Sequence, residues 1–110
     1  MSTPMRHQPV FDGSQLSSEW FIVSDTPAAE ELEQELKWEV AAGHVLAAFA
    51  IVAIAVRRLQ KEAIFWLPES DQWAVVHLTW NDEVDPRWPS TVLVESWADV
   101  LSELVDRGRA

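Results

Sequence analysis

Hydrophobic positions along the chain change period several times, and each change marks a predicted element. Trp20-Phe21-Ile22-Val23 is a short apolar run punctuated by Ser24-Asp25-Thr26-Pro27, which predicts a strand and then a helix start. Thr26 is the expected N-cap, accepting from backbone N–H groups, and Pro27 sits where its missing N–H costs nothing. Ala29, Leu32, Leu36 and Val40 then recur on one stripe, predicting an amphipathic helix to about Ala42 with Gly43 just beyond its end. Glu31, Glu35 and Lys37 fall off that stripe, and Glu33 with Lys37 makes a favourable i,i+4 pair. Trp38 lies off its centre, placed to cover a sheet edge or to meet a second subunit.

Residues 45–56 are apolar on every side, so period alone does not separate helix from strand there. The alanines favour a helix, whereas Ile51, Val52, Ile54 and Val56 favour a strand. A strand over 50–58 is preferred, because a helix would leave the strands that follow without a partner. Residues 63–67 form the next strand, Pro68-Glu69-Ser70-Asp71 turn the chain, and 72–80 return antiparallel. Period-two alternation puts Ala74, Val76, Leu78 and Trp80 on one face, and Trp73, Val75, His77 and Thr79 on the other. The first set reads as core, the second as a face half covered by a partner or lining a groove. After a loop over 81–90, residues 91–95 offer a final short strand. Ser96, with Asp99 three residues on, caps a last helix whose buried stripe is Trp97, Val100, Leu101 and Leu104. The order β-α-β-β-β-(β)-α predicts an α+β fold: an antiparallel three- to four-stranded sheet with two helices packed on one face. Residues 1–17 read as a flexible N-terminal segment and 18–110 as a single domain.

Charge narrows the partners. The chain carries 18 acidic and 8 basic residues, a net charge of −10. Such a field repels phosphate backbones, and Arg57-Arg58 with Lys61 is too small a patch to reverse it, so no nucleic acid and no anionic membrane surface is expected. A cationic ligand or a basic protein partner fits the charge. The run 45–56 is shorter than the roughly 20 residues of a membrane-spanning helix. The N-terminus lacks the apolar run of a signal peptide, which makes a cytoplasmic protein the expectation.

Candidate chemistry is sparse. With no cysteine in the chain there is no disulfide, no thiolate nucleophile and no cysteine metal site. His44 and His77 could converge with a carboxylate on a metal, but their spacing matches no zinc signature. A hydrogen-bonded structural role outweighs that reading, and no metal and no cofactor is expected. His7 falls in the N-terminal segment and reads as inert. Asp82-Glu83-Val84-Asp85 reads as a solvated acidic loop rather than acid–base machinery. Three glycines form no phosphate-binding loop, no Gly-x-Ser-x-Gly elbow is present, and no catalytic residue is assigned. The compositional oddity is seven Trp with no Tyr. Trp66, Trp73, Trp80, Trp88 and Trp97 lie on or beside the last strands. They suit a core with a dimer interface better than an aromatic pocket. The binding candidates are therefore His44, Trp73, His77, Trp80 and Trp88.

An ordered series of short motifs runs through the domain: Gly43-His44, Val56-Arg57-Arg58, Val75-Val76-His77-Leu78-Thr79-Trp80, Trp88-Pro89 and Ser96-Trp97. This series resembles a family of short bacterial proteins of unassigned role, some of them carried on mobile, integron-type gene cassettes. The resemblance covers about residues 32–97 and implies a shared fold and a soluble bacterial protein, without an activity. Similar sequences carry acidic residues before the Phe-containing strand, where this chain keeps only Glu62. The expected function is a small soluble non-enzymatic binding or interaction module, homodimeric through an open His77 face. The alternatives are an aromatic pocket for a small apolar or cationic ligand and a small hydrolase using histidine and carboxylate.

Overall fold

The computed structural model describes residues 9–40, 43–57, 61–78 and 90–106. Along the chain come β1 (Phe21–Ile22), α1 (Pro27–Glu39), β2 (Val52–Arg57), β3 (Glu62–Leu67), β4 (Gln72–His77), β5 (Ser90–Val94) and α2 (Trp97–Asp106). The strands form one sheet in the order β1-β2-β3-β4-β5, antiparallel at every pairing. The α+β class holds, with five strands in place of three or four. Residues 52–57 are extended, so the β-branched residues of the ambiguous run outweigh its alanines. Among the described residues, no helix is long and apolar enough to cross a membrane.

The two helices do not share a face, contrary to the arrangement expected from sequence. Ala29, Leu32 and Leu36 of α1 pack with Ala53, Val56, Ala63, Phe65, Leu67, Ala74, Val76 and Leu78. Trp97, Val100 and Leu104 of α2 pack with Ala55, Ile64, Trp66, Trp73 and Val75. These sheet residues alternate along β3 and β4, so the two clusters lie on opposite faces. The physical reason is visible in β3, which is buried at all six positions. A strand buried on both sides needs a cover on both sides, and its run Ala63-Ile64-Phe65-Trp66-Leu67 is correspondingly apolar without alternation.

The N-terminal segment takes part in that cover. From residue 9 onward it supplies Phe11 and Leu16 to the α2-side cluster. Gly13–Gln15 form a 3-10 turn whose N-cap is Asp12. The Ser14 hydroxyl and backbone N–H both donate to the Asp12 carboxylate, which holds it below the ordinary aspartate range. Trp97 Nε1 donates to Gln15 Oε1 at 2.8 Å, tying the start of α2 to this turn.

Local signals act as follows. Pro27 opens α1, but Thr26 makes no side-chain cap; its hydroxyl instead donates to Val23 O. The helix ends at Glu39, and Val40 is already extended, so α1 stops short of Ala42. Trp38 is 62% exposed. Ser96 caps α2 as expected, its hydroxyl accepting from Asp99 N–H at 3.1 Å.

In β2 the register shifts between Ala53 and Ala55, and Ile54 and Ala55 both join the α2-side cluster. Glu33 steadies this bulge: Oε2 accepts from the Ala53 N–H at 2.9 Å. The carboxylate expected to pair with Lys37 thus serves the sheet. Glu33→Ala is expected to cost about 1–3 kcal/mol by leaving that donor without its acceptor. Glu33→Gln, which keeps an acceptor oxygen, is expected to recover part of the loss in urea unfolding.

Candidate functional site

One end of the α2-side face breaks the apolar pattern. Arg57 pairs with Glu62 across β2 and β3, Glu62 with His77 across β3 and β4, and His77 with Ser90 across β4 and β5. Directly opposite residues of antiparallel strands share a face, with Cβ atoms about 4.5–5.5 Å apart. The four side chains therefore form one polar row across the sheet. The next row on that face is Ala55, Ile64, Val75 and Val92, which is wholly apolar.

Burial is graded along this row. Glu62 is fully buried and Arg57 nearly so, whereas His77 and Ser90 are partly exposed. Arg57 Nη2 donates to Glu19 at the outer edge, and its guanidinium carbon lies 6.0 Å from the centre of the Trp20 ring. The Trp20 indole N–H is buried and meets no hydrogen-bond acceptor among the described residues. Burying charged groups is costly unless they are compensated, so a guanidinium, a carboxylate and an imidazole in register make a chemically distinct feature of this face.

His44 stands apart from it. The ring is buried; Nδ1 accepts from Leu46 N–H at 2.9 Å and Nε2 lies 3.5 Å from Thr91 Oγ1. Thr91 is opposite Val76, on the α1 side of the sheet. His44 and His77 therefore occupy opposite faces, and the hydrolase that needed both imidazoles at one site is removed. His44 instead fastens the turn at 44–48 to β5. Among the described residues, no group of three or more His, Asp or Glu is placed to hold a metal ion.

Trp73 is core, not an open binding surface. It is 3% exposed, with its ring centre 6.0 Å from that of Phe11 at an interplanar angle of 73° and 5.2 Å from that of Trp97. Trp66 is likewise buried, its Nε1 donating to Asp71 at 3.1 Å. Over Trp73 and Val75, the face that carries His77 is covered by α2 and Phe11. Among the described residues, the homodimer expected from an open His77 face loses that part of its support. Trp80 and Trp88, and the acidic loop between them, lie outside the described residues.

A cavity that the sequence reading missed lies on the α1 side. It measures about 420 Å³ and is lined by Leu36, Lys37, Val40, Leu46, Ala47, Phe49 and Ile51. The end of α1 and the turn at 44–48 form its walls. No periodicity signals a cavity made by a helix end and an irregular segment, which is why residues 45–51 read simply as part of an apolar run. A second hollow of about 660 Å³ beside the start of α1 carries Asp25, Glu30 and Glu33.

Comparison with protein-family models, with curated proteins and with solved structures finds no match for this chain.

Proposed function

We propose that the protein is a small binding module that holds a compact apolar molecule between the end of α1 and residues 44–51. The cavity carries this reading: about 420 Å³, six apolar lining residues and Lys37. That volume falls within the roughly 300–1,000 Å³ of ordinary small-molecule sites, which are mainly apolar with a few polar groups. Lys37 is the one ionisable side chain among the described lining residues, so the reading at this site is retention of a ligand, not its turnover. The net charge of −10 and the lack of cysteine are the features that support a cytoplasmic location.

The test is a thermal-shift series with linear alcohols from hexanol to dodecanol and with alkylbenzenes. A ligand held at about 100 times its dissociation constant adds about 2.7 kcal/mol. For a domain of this size that raises the melting temperature by roughly ten degrees or more, at about 4–8 °C per kcal/mol. Ala47→Trp, which fills the cavity from its exposed side, is expected to abolish the shift and leave the unliganded melting curve in place. No shift with any member of the series would refute the reading.

A further inference from the structure

We propose that the ligand of the cavity at the end of α1 is a medium-chain carboxylate, its alkyl tail held among Leu36, Leu46 and Phe49 and its carboxylate paired with the Lys37 ammonium at the rim. This rests on the cavity reading given above and names the chemical class that the site takes. The lining carries the inference: its one cation stands at the exposed edge of an otherwise apolar hollow of about 420 Å³.

Burial of the lining is graded. Leu36 and Leu46 are buried, Val40, Phe49 and Ile51 are half-buried, and Lys37 and Ala47 are exposed. A tail lying against the buried and half-buried positions leaves water, which is favourable in proportion to the apolar area removed. A charged head cannot follow it inward without losing its hydration, so it stays where the lining meets solvent. Lys37 stands at that boundary, and a lysine stem covers apolar surface while its ammonium remains in water. A wholly apolar ligand leaves this cation unused; a carboxylate gives it a partner.

The partner that Lys37 would find within its own helix is engaged elsewhere. Side chains three and four apart are neighbours on a helix surface, and Glu33 is the acidic residue at that spacing from Lys37. Its Oε2 accepts from the Ala53 N–H of β2 at 2.9 Å. Among the described residues, Lys37 enters no ion pair.

Two fields oppose an anion here, and both are smaller at the rim than the charge of Lys37. The first is the net charge of −10. At an ionic strength of about 0.15 M, exposed charges more than about 8 Å apart are largely screened, and the described lining holds no acidic residue. The second is the C-terminal end of α1, equivalent to about half a negative charge. Lys37 stands in that last turn with a full positive one. The local balance favours a ligand with a single negative charge over one with two, which sets a carboxylate ahead of a phosphate monoester.

The experiment measures the dissociation constants of octanoate, octanol and octylammonium for the full chain by titration calorimetry, with each ligand kept below micelle-forming concentrations, and repeats them on Lys37→Gln and Lys37→Glu. Within each protein, the ratio of the octanol constant to the octanoate constant gives the preference for the charged head, so a general change in the cavity cancels. That preference is expected to fall about fivefold in Lys37→Gln, the upper end for an ion pair open to water. In Lys37→Glu, octylammonium is expected to replace octanoate as the tighter ligand. Ala47→Trp is expected to abolish octanoate binding, and undiminished binding there would place the ligand elsewhere and overturn the proposal. Octanol binding with a head preference unchanged in both Lys37 variants would overturn the carboxylate assignment and leave the cavity reading standing. Tighter binding of octylammonium than of octanoate to the parent chain would do the same. Failure of all three ligands to bind would overturn the cavity reading and this inference with it.

Discussion

Trp73→Ala is expected to lower the stability of the domain by about 3–5 kcal/mol, the range for removing a large aromatic side chain from a packed core. The indole sits under the start of α2 and against the N-terminal segment, contacting Phe11 and Trp97. Phe11 and Trp97 also meet each other, with ring centres 5.4 Å apart. Three mutually contacting rings lose two contacts at once, and aromatic pairs contribute about 0.5–1.5 kcal/mol each beyond the area they bury. Alanine leaves a void that β4 cannot close, because it is held in register between β3 and β5. In a domain whose whole stability is about 5–15 kcal/mol, a loss of this size is a large share. Urea unfolding measures it, with the near-ultraviolet circular dichroism of the indole cluster as a second readout. Trp38→Ala is the control. That side chain is 62% exposed, and its removal is expected to fall within about 0.5 kcal/mol of the parent. Equal small effects from the two substitutions would mean that the α2 side of the sheet is not packed.

Phe65→Ala is expected to have a comparable effect on the opposite face, again about 3–5 kcal/mol. Phe65 is fully buried on the central strand, and its neighbours across the sheet are Ala53 on β2 and Ala74 on β4. Two alanines flanking one phenylalanine leave the space that the ring fills under α1. They also make the site unable to collapse, since neither has a side chain to move into the gap, and cost rises with the cavity that remains. Phe65→Leu, which keeps most of the volume, is expected to cost less than the alanine change. Ala74→Leu fails in the other sense, overfilling the same space at about 1–3 kcal/mol. Chemical denaturation of the three variants checks the order; an alanine variant no worse than the leucine variant would contradict this packing.

The hairpins were written plainly in the sequence, whereas the layer arrangement was not drawn from signals that were present. The turn at Pro68-Glu69-Ser70-Asp71 sets Leu67 opposite Gln72, and counting back from that closure places Glu62 opposite His77. Glu62 and Arg57 were therefore within reach of register reasoning, although neither residue carries a site signal by type alone. Ser90 was not, because the connection from β4 to β5 is too long to fix a register. The uninterrupted apolar run of β3 pointed to a strand covered on both sides, whereas the mixed set Trp73, Val75 and His77 on β4 pointed to a half-covered face. His44 and His77 could not be separated without the topology, since face assignment for a residue in a turn depends on what the turn packs against. The cavity at the end of α1 was illegible for a similar reason: its walls come from an irregular segment with no period to read.

The most direct test of the binding account is an amide NMR titration of the full chain with the alcohol or alkylbenzene giving the largest thermal shift. The account predicts that the changes concentrate on Leu36, Lys37, Val40, Leu46, Phe49 and Ile51, while the indole signals of Trp73 and Trp97 stay in place. Changes centred on those indoles, or no saturable change at any amide, would contradict it.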